Sequence, residues 1–201
     1  MGALTGFRVL DLSRILAGPW CSQILADLGA EVIKVEKPFQ GDDTRIWGPP
    51  FLKNDAGDDT GESAYYLSTN RGKYSVAIDM ATEEGQRLIK KMVLDSDVLI
   101  ENYKAGSLKK YGLDYESLSQ INPKLVYCSI TGFGQKGPRA PEPGYDFIIQ
   151  GIGGMMSVTG ERDDLPGGGP QKAGLAFADL TTGLYAATAI QAALLSRVTT
   201  G

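Results

Sequence analysis

The segment QKAGLAFADLTTGLYAATAIQAALL, residues 171–195, carries a single acid, Asp179, where an apolar run begins. The chain holds no histidine in its 201 residues, so acid–base or nucleophilic chemistry within it falls to carboxylates, Tyr, Lys, Cys or backbone groups. Ser-His-Asp and Cys-His mechanisms are excluded for these residues taken alone. Two readings of Asp179 stand side by side. Asp is a preferred helix N-cap and the helical pattern starts right after it; a lone acid against apolar residues is equally the kind of group that sites use.

Other patterns that suggest chemistry fail on context. Gly132, Gly134 and Gly137 in TGFGQKG form a G-x-G-x-x-G after a predicted strand, but a dinucleotide fingerprint must open a helix. Pro138, Pro141 and Pro143 forbid that helix. The GGG at 167–169 lacks the following G-K-[ST] of a P-loop, and SLKK at 107–110 matches S-x-x-K without its companion motifs. Cys21 and Cys128 lie far apart without metal-ligand spacing, which reads as two buried thiols, no disulfide and no metal site. Arg14, Lys37, Arg71, Lys73, Lys109 and Lys110 fall after or near predicted strands, where α/β sheets place their ligand crevice. Each can equally be a solvated surface charge.

The elements that must position these residues belong to an ordinary globular chain, 42% hydrophobic and 22% charged. A net charge of -4 leaves no bulk basic surface for a nucleic-acid backbone. The start, MGALTGFRVLDLSR, has no basic-then-apolar signal, and Gly6 stands where myristoylation needs Ser or Thr; a cytoplasmic location is expected. Residues 180–195 include Thr181, Thr182, Gly183, Thr188 and Gln191 and fall short of the ~20 apolar residues of a membrane span. They read as a half-buried helix.

FRVLDL (7–12) reads as a strand, AGPWCSQILADLG as a helix with Pro19 near its start and Gly29 past its end, and EVIKVE (31–36) as a second strand. That βαβ unit implies parallel pairing. Residues 37–61 read as a long polar loop with WGPPF (47–51) as an aromatic anchor. YSVAID (74–79) follows as a strand, then a helix capped by Thr82 with Glu83 and Glu84 in its first turn. DVLIEN is the next strand, AGSLKKYG and DYESLSQIN are short helices, and KLVYCSITG is another strand. The fold class is therefore α/β with a mostly parallel sheet. The last segment ends in a helix, which suggests a fragment.

Six blocks, in order, resemble the class III coenzyme A transferases: RVLDLSRILAGPWCSQILADLGAEVIKVEKP, YLSTNRGKYSVAIDM, DVLIENYKAGSLKKYGLDYESL, CSITGFGQKGP, GYDFIIQGIGGMMSVTGE and GLAFADLTTGLYA. The resemblance implies a Rossmann-like sheet with flanking helices, the large-domain part of an interlocked homodimer. Family chains are about twice as long, so residues 1–201 resemble the N-terminal part of the large CoA-binding domain, with the second, smaller domain outside them.

Carried over by the resemblance, Asp179 is the catalytic carboxylate, ionised near an ordinary pKa of about 3.9. It attacks a donor thioester to give a mixed anhydride and then an aspartyl thioester. Tyr145 and Tyr65 fall on substrate-side tyrosines. Coenzyme A contacts fall on Ile15, Lys37, Ile78, Met80, Asn102, Tyr103 and Lys110. No permanently bound cofactor is implied; coenzyme A, acyl-CoA and small carboxylic acids are the substrates. Leu16 stands where formyl-CoA members carry Gln before AGP, which counts against formyl or oxalyl specificity. GDDTRIWGPPF and CSITG look more like members using succinyl-CoA and dicarboxylic acids. Two alternatives are an α-methylacyl-CoA racemase-like enzyme, whose branch has His where this chain has Tyr145, and a non-catalytic CoA-binding or dimerisation fragment.

Overall fold

In the computed structural model, which describes residues 2–200, the chain opens with strand β1 (Arg8–Asp11), helix α1 (Ala17–Asp27) and strand β2 (Glu31–Glu36). Pro19 sits in the first turn of α1, and Gly29, just past its end, adopts φ +102°, a conformation that a side chain resists. A hairpin of β3 (Phe51–Lys53) and β4 (Asp59–Ser63) leads into α2 (Ala64–Thr69), and strand β5 (Lys73–Ala77) returns to the sheet. Then come α3 (Glu83–Leu94), β6 (Val98–Glu101), α4 (Tyr115–Ile121), β7 (Val126–Ser129), α5 (Asp146–Ile152) and α6 (Phe177–Thr200).

The five-stranded sheet is parallel throughout, in the order β5-β2-β1-β6-β7. By order of appearance that is third, second, first, fourth, fifth, the dinucleotide-fold arrangement, and its winding reverses between β1 and β6. Alternate residues feed two cores. Val9, Val32, Val98 and Ile100 pack with Cys21 and Leu25 of α1 and Ala187 and Ile190 of α6. On the other face, Leu10, Val35 and Leu99 meet Ile89 and Val93 of α3 and Leu118 of α4. Both faces of the sheet are thus covered, as parallel pairing requires.

The strand and helix expectations hold to within a few residues, but α2 and α5 are not among them, and two segments differ. The expected polar loop at 37–61 contains a 3₁₀ turn (Asp43–Ile46) and the β3-β4 hairpin. Asn54 nucleates the hairpin turn: its side-chain oxygen accepts from the N–H groups of Ala56 (3.0 Å) and Asp58 (2.9 Å). The expected helix at AGSLKKYG is only a 3₁₀ turn, Lys109–Tyr111, closed by left-handed Gly112. Among the described residues, no helix is long and apolar enough to cross a membrane.

Helix α6 approaches α1 closely at Gly183. A Cβ there would lie 2.7 Å from the Ala17 carbonyl oxygen and 2.9 Å from Trp20 Cδ1. Gly183→Ala gains about 1 kcal/mol of helix propensity but must push against backbone, and overpacking costs about 1–3 kcal/mol. The variant should unfold at lower denaturant concentration than the parent. An unchanged or raised midpoint would mean that the two helices separate freely.

Candidate active site

Two adjoining cavities lie at the carboxyl ends of the strands, across the reversal between β1 and β6. One, about 540 Å³, is lined by Ile15 and Leu16 after β1, Asn102 and Tyr103 after β6, Tyr145 at the start of α5 and Asp179 of α6. The other, about 350 Å³, is lined by Lys37 after β2, Ile78 and Met80 after β5, and Tyr103, Lys110 and Tyr111. Arg14, Tyr103 and Ser107 line both, so the two spaces adjoin along one groove. This is where open α/β sheets bind ligands.

Asp179 is not the N-cap of α6. The helix begins two residues earlier, at Phe177, and Asp179 lies in its first turn. The capping acceptor comes instead from α5: Asp146 Oδ1 accepts the Asp179 backbone N–H at 3.1 Å. Asp146 is itself held by Gln150, whose amide donates to Asp146 Oδ2 (2.5 Å) and accepts from the Ala173 N–H (2.9 Å). The Asp179 carboxylate makes no hydrogen bond among the described residues. Burial and the neighbouring Asp146 charge push its pKa up to about 6, not the ordinary value expected from sequence. At pH 7 it is still ionised by roughly ten to one.

Of the other expected site residues, Ile15, Leu16, Asn102, Tyr103 and Tyr145 join Asp179 in the larger cavity, and Lys37, Ile78, Met80 and Lys110 gather in the smaller. Asn102 spends its side chain on the protein: Oδ1 accepts the Arg14 N–H (2.8 Å) and Nδ2 donates to the Arg14 carbonyl (2.6 Å). Tyr145 is 58% exposed and its hydroxyl is unpartnered among the described residues, so it does not donate to Asp179 here. Tyr65 lines neither cavity. It stacks edge-on against Trp47 at 5.4 Å, and burial, then the charges of Asp179 and Asp146, raise its hydroxyl above the usual range.

Lys37 and Lys110 are exposed, and among the described residues neither pairs with a carboxylate; the Lys110 ammonium lies 4.7 Å from the Tyr111 ring centre. Two of the basic residues expected near the crevice are committed elsewhere. Arg71 pairs with Asp27 (2.5 Å), and Lys73 is buried against Asp11 (3.2 Å). Sequence reading missed Asp146 and Gln150. Their spacing of four in DFIIQ, a helical Asp–Gln pair, was the available signal. Among the described residues, no group of three or more His, Cys, Asp or Glu is placed to hold a metal.

The model of CoA-transferase family III matches residues 4–201. The chain belongs to that family. It is 57% identical over 198 residues to the succinate–glutarate CoA-transferase of Agrobacterium fabrum, covering 98% of this chain and 48% of that protein. The succinyl-CoA:glutarate CoA-transferase of Mus musculus is 48% identical over 201 residues, 100% of this chain and 44% of that one. The crystal structure of a CAIB/BAIF family protein from Brucella suis superposes with a TM-score of 0.91 at 57% identity, over 100% of this chain and 51% of that chain. The chain thus spans about half the length of the relatives it matches.

The raised Asp179 pKa carries a stability consequence. Its folded pKa lies above the unfolded value, so the folded state holds the proton more tightly and stability falls as pH rises from about 4 to about 6. Asp179→Asn removes that burden. Its thermal midpoint should exceed the parent's at about pH 8 and converge with it near pH 4; a gap that does not widen with pH would contradict the raised pKa.

Proposed function

We propose that the protein transfers coenzyme A from an acyl-CoA donor to a carboxylic acid, with Asp179 as the nucleophile. One observation carries this reading: an ionisable carboxylate, without a hydrogen-bond partner among the described residues, lines a groove that adjoins a second cavity bearing two lysines that pair with no carboxylate among those residues. Such a groove suits a ligand with an acyl end and a polyanionic end.

The Asp179 carboxylate attacks the donor's thioester carbonyl; the C–S bond breaks, CoA thiolate leaves and a mixed anhydride forms. The thiolate then attacks the Asp179 acyl carbon, releasing the donor acid as carboxylate and leaving an aspartyl thioester. The acceptor carboxylate attacks that thioester to give a second anhydride and thiolate. Attack of the thiolate on the acceptor's carbonyl yields the new acyl-CoA and regenerates Asp179. One thioester replaces another, so little driving force is needed. A pKa near 6 serves this sequence, because a more basic carboxylate is a better nucleophile and is still ionised at pH 7. Partial burial limits the water that would hydrolyse the anhydride.

In this reading Lys37 and Lys110 meet the phosphates as point charges. Ile78 and Met80 flank the apolar parts of the nucleotide end, Tyr103 stands at the join, and Ile15, Leu16 and Tyr145 border the pantetheine and acyl arm. The bracing of Arg14 by Asn102 fixes the wall between the two cavities. The activities of the relatives from Agrobacterium fabrum and Mus musculus support succinyl-CoA as donor and a dicarboxylic acid such as glutarate as acceptor. The same reading makes the working protein an interlocked homodimer, on the family resemblance.

Asp179→Ala should abolish succinyl-CoA-dependent transfer in the full-length protein while its circular dichroism spectrum is kept; retained turnover would sink the nucleophile assignment. Lys37→Ala should weaken coenzyme A binding about three- to tenfold in calorimetry, with the deficit shrinking as salt is raised. An affinity unchanged at low salt removes Lys37 from the phosphate site.

A further inference from the structure

Between β1 and α1 the chain crosses the groove as a strap, residues 13–15, whose backbone is held by side chains. The Ser13 N–H donates to Asp11 Oδ1 (2.9 Å), and the Ser13 carbonyl accepts from Lys34 Nζ (2.8 Å). Asn102 takes both backbone groups of Arg14. The Ile15 N–H donates to the two carboxylate oxygens of Asp42, at 3.3 and 3.2 Å. Five successive backbone groups are thus satisfied by four side chains from β1, β2, the segment after β2 and the segment after β6.

Ile15 needs this hold. Its φ is +70°, a left-handed conformation in which a β-branched residue is a genuine outlier. Such strain persists only where the surroundings over-determine it. The surroundings here are a charged pair within the protein: Lys34 Nζ lies 2.9 Å from Asp42 Oδ2, and their side chains are 1% and 0% exposed. Asp42 further accepts from the Thr44 N–H (3.0 Å) and hydroxyl (2.8 Å), and its own N–H donates to Glu36 Oε2 (2.8 Å).

A buried ion pair is a poor device for stability alone, because an apolar pair of similar volume often does as well or better. What this pair supplies, and an apolar pair cannot, is an acceptor at the Ile15 N–H and a donor at the Ser13 carbonyl, the two groups that bracket Arg14. We infer that Lys34 and Asp42 are positioning residues for acyl transfer: they hold the strained strap that sets Ile15 and Leu16 in the cavity shared with Asp179. The inference rests on the transferase reading above. Both side chains lie buried in the wall of the smaller cavity, 1% and 0% exposed, and their contacts to the strap go through the backbone of 13–15.

The test exploits the strain. Glycine takes φ +70° freely, so in an Ile15→Gly background the strap no longer depends on the clamp. Four full-length proteins are compared: the parent, Lys34→Met/Asp42→Leu, Ile15→Gly, and the triple variant. Each is assayed for coenzyme A affinity, for kcat/KM of transfer, and for fold by circular dichroism. Replacing the clamp should lower kcat/KM about a hundredfold in the parent, the scale of a 1 Å misplacement. It should lower coenzyme A affinity far less, and it should lower kcat/KM by only a small part of that factor in the Ile15→Gly background. An equal loss in both backgrounds, or no loss, overturns the clamp. Should the apolar pair not fold, Asp42→Ala, which removes the acceptor at the Ile15 N–H, runs the same comparison. A parent that neither binds nor transfers coenzyme A removes the transferase reading and this inference with it; a parent that transfers normally, matched by the clamp variant, overturns the clamp alone.

Discussion

A carboxylate half-buried beside a second carboxylate constrains the structure around it. Asp179 meets that constraint because its position is taken out of its own control. The first turn of α6 is fixed by Asp146 from α5, and Asp146 by the buried Gln150. One turn further along, Gly183 seats α6 against the backbone of α1. Helix packing and a cap borrowed from another helix hold the acid, so its carboxylate is left unspent. Burial raises the proton affinity of Asp179, and the Asp146 charge that caps the helix adds to it, so one residue both fixes the helix start and tunes the acid.

The groove follows from topology. Where winding reverses between β1 and β6, the connections after these strands leave in opposite directions and open a crevice. The usual Rossmann solution fills it with a glycine-rich turn and a helix N-terminus. Here the crossing segment is Ser13, Arg14 and Ile15, pinned by Asp11, Lys34, Asp42 and Asn102. The fold has the dinucleotide arrangement without the dinucleotide fingerprint, consistent with the G-x-G-x-x-G at 132–137 lying in the loop after β7 and not in the first crossover.

Much of the fold was legible in the sequence, for physical reasons that differ by segment. The β1-α1-β2 unit announced itself because two short strands rich in Val, Leu and Ile flank a helix marked by Pro19 and Gly29. The β3-β4 hairpin did not, because its short strands are mostly exposed and carry no apolar alternation. The seven-residue α5 was also missed, being too short to show a period. Residue types and resemblance singled out Asp179, but its raised pKa comes from burial and then from Asp146, 33 positions away, and no local pattern encodes either. Lys34 escaped notice altogether. A lysine within EVIKVE looks like a solvent-facing strand residue until its partner, eight residues on, is seen folded over it.

The most direct measurement is mass spectrometry of the full-length protein incubated with succinyl-CoA and quenched in hydroxylamine, which converts an aspartyl thioester or anhydride into a hydroxamate. A hydroxamate on the peptide carrying Asp179, formed only when the acyl-CoA is present, is the predicted result. An unmodified Asp179 in a sample that demonstrably binds coenzyme A would contradict covalent transfer through this carboxylate.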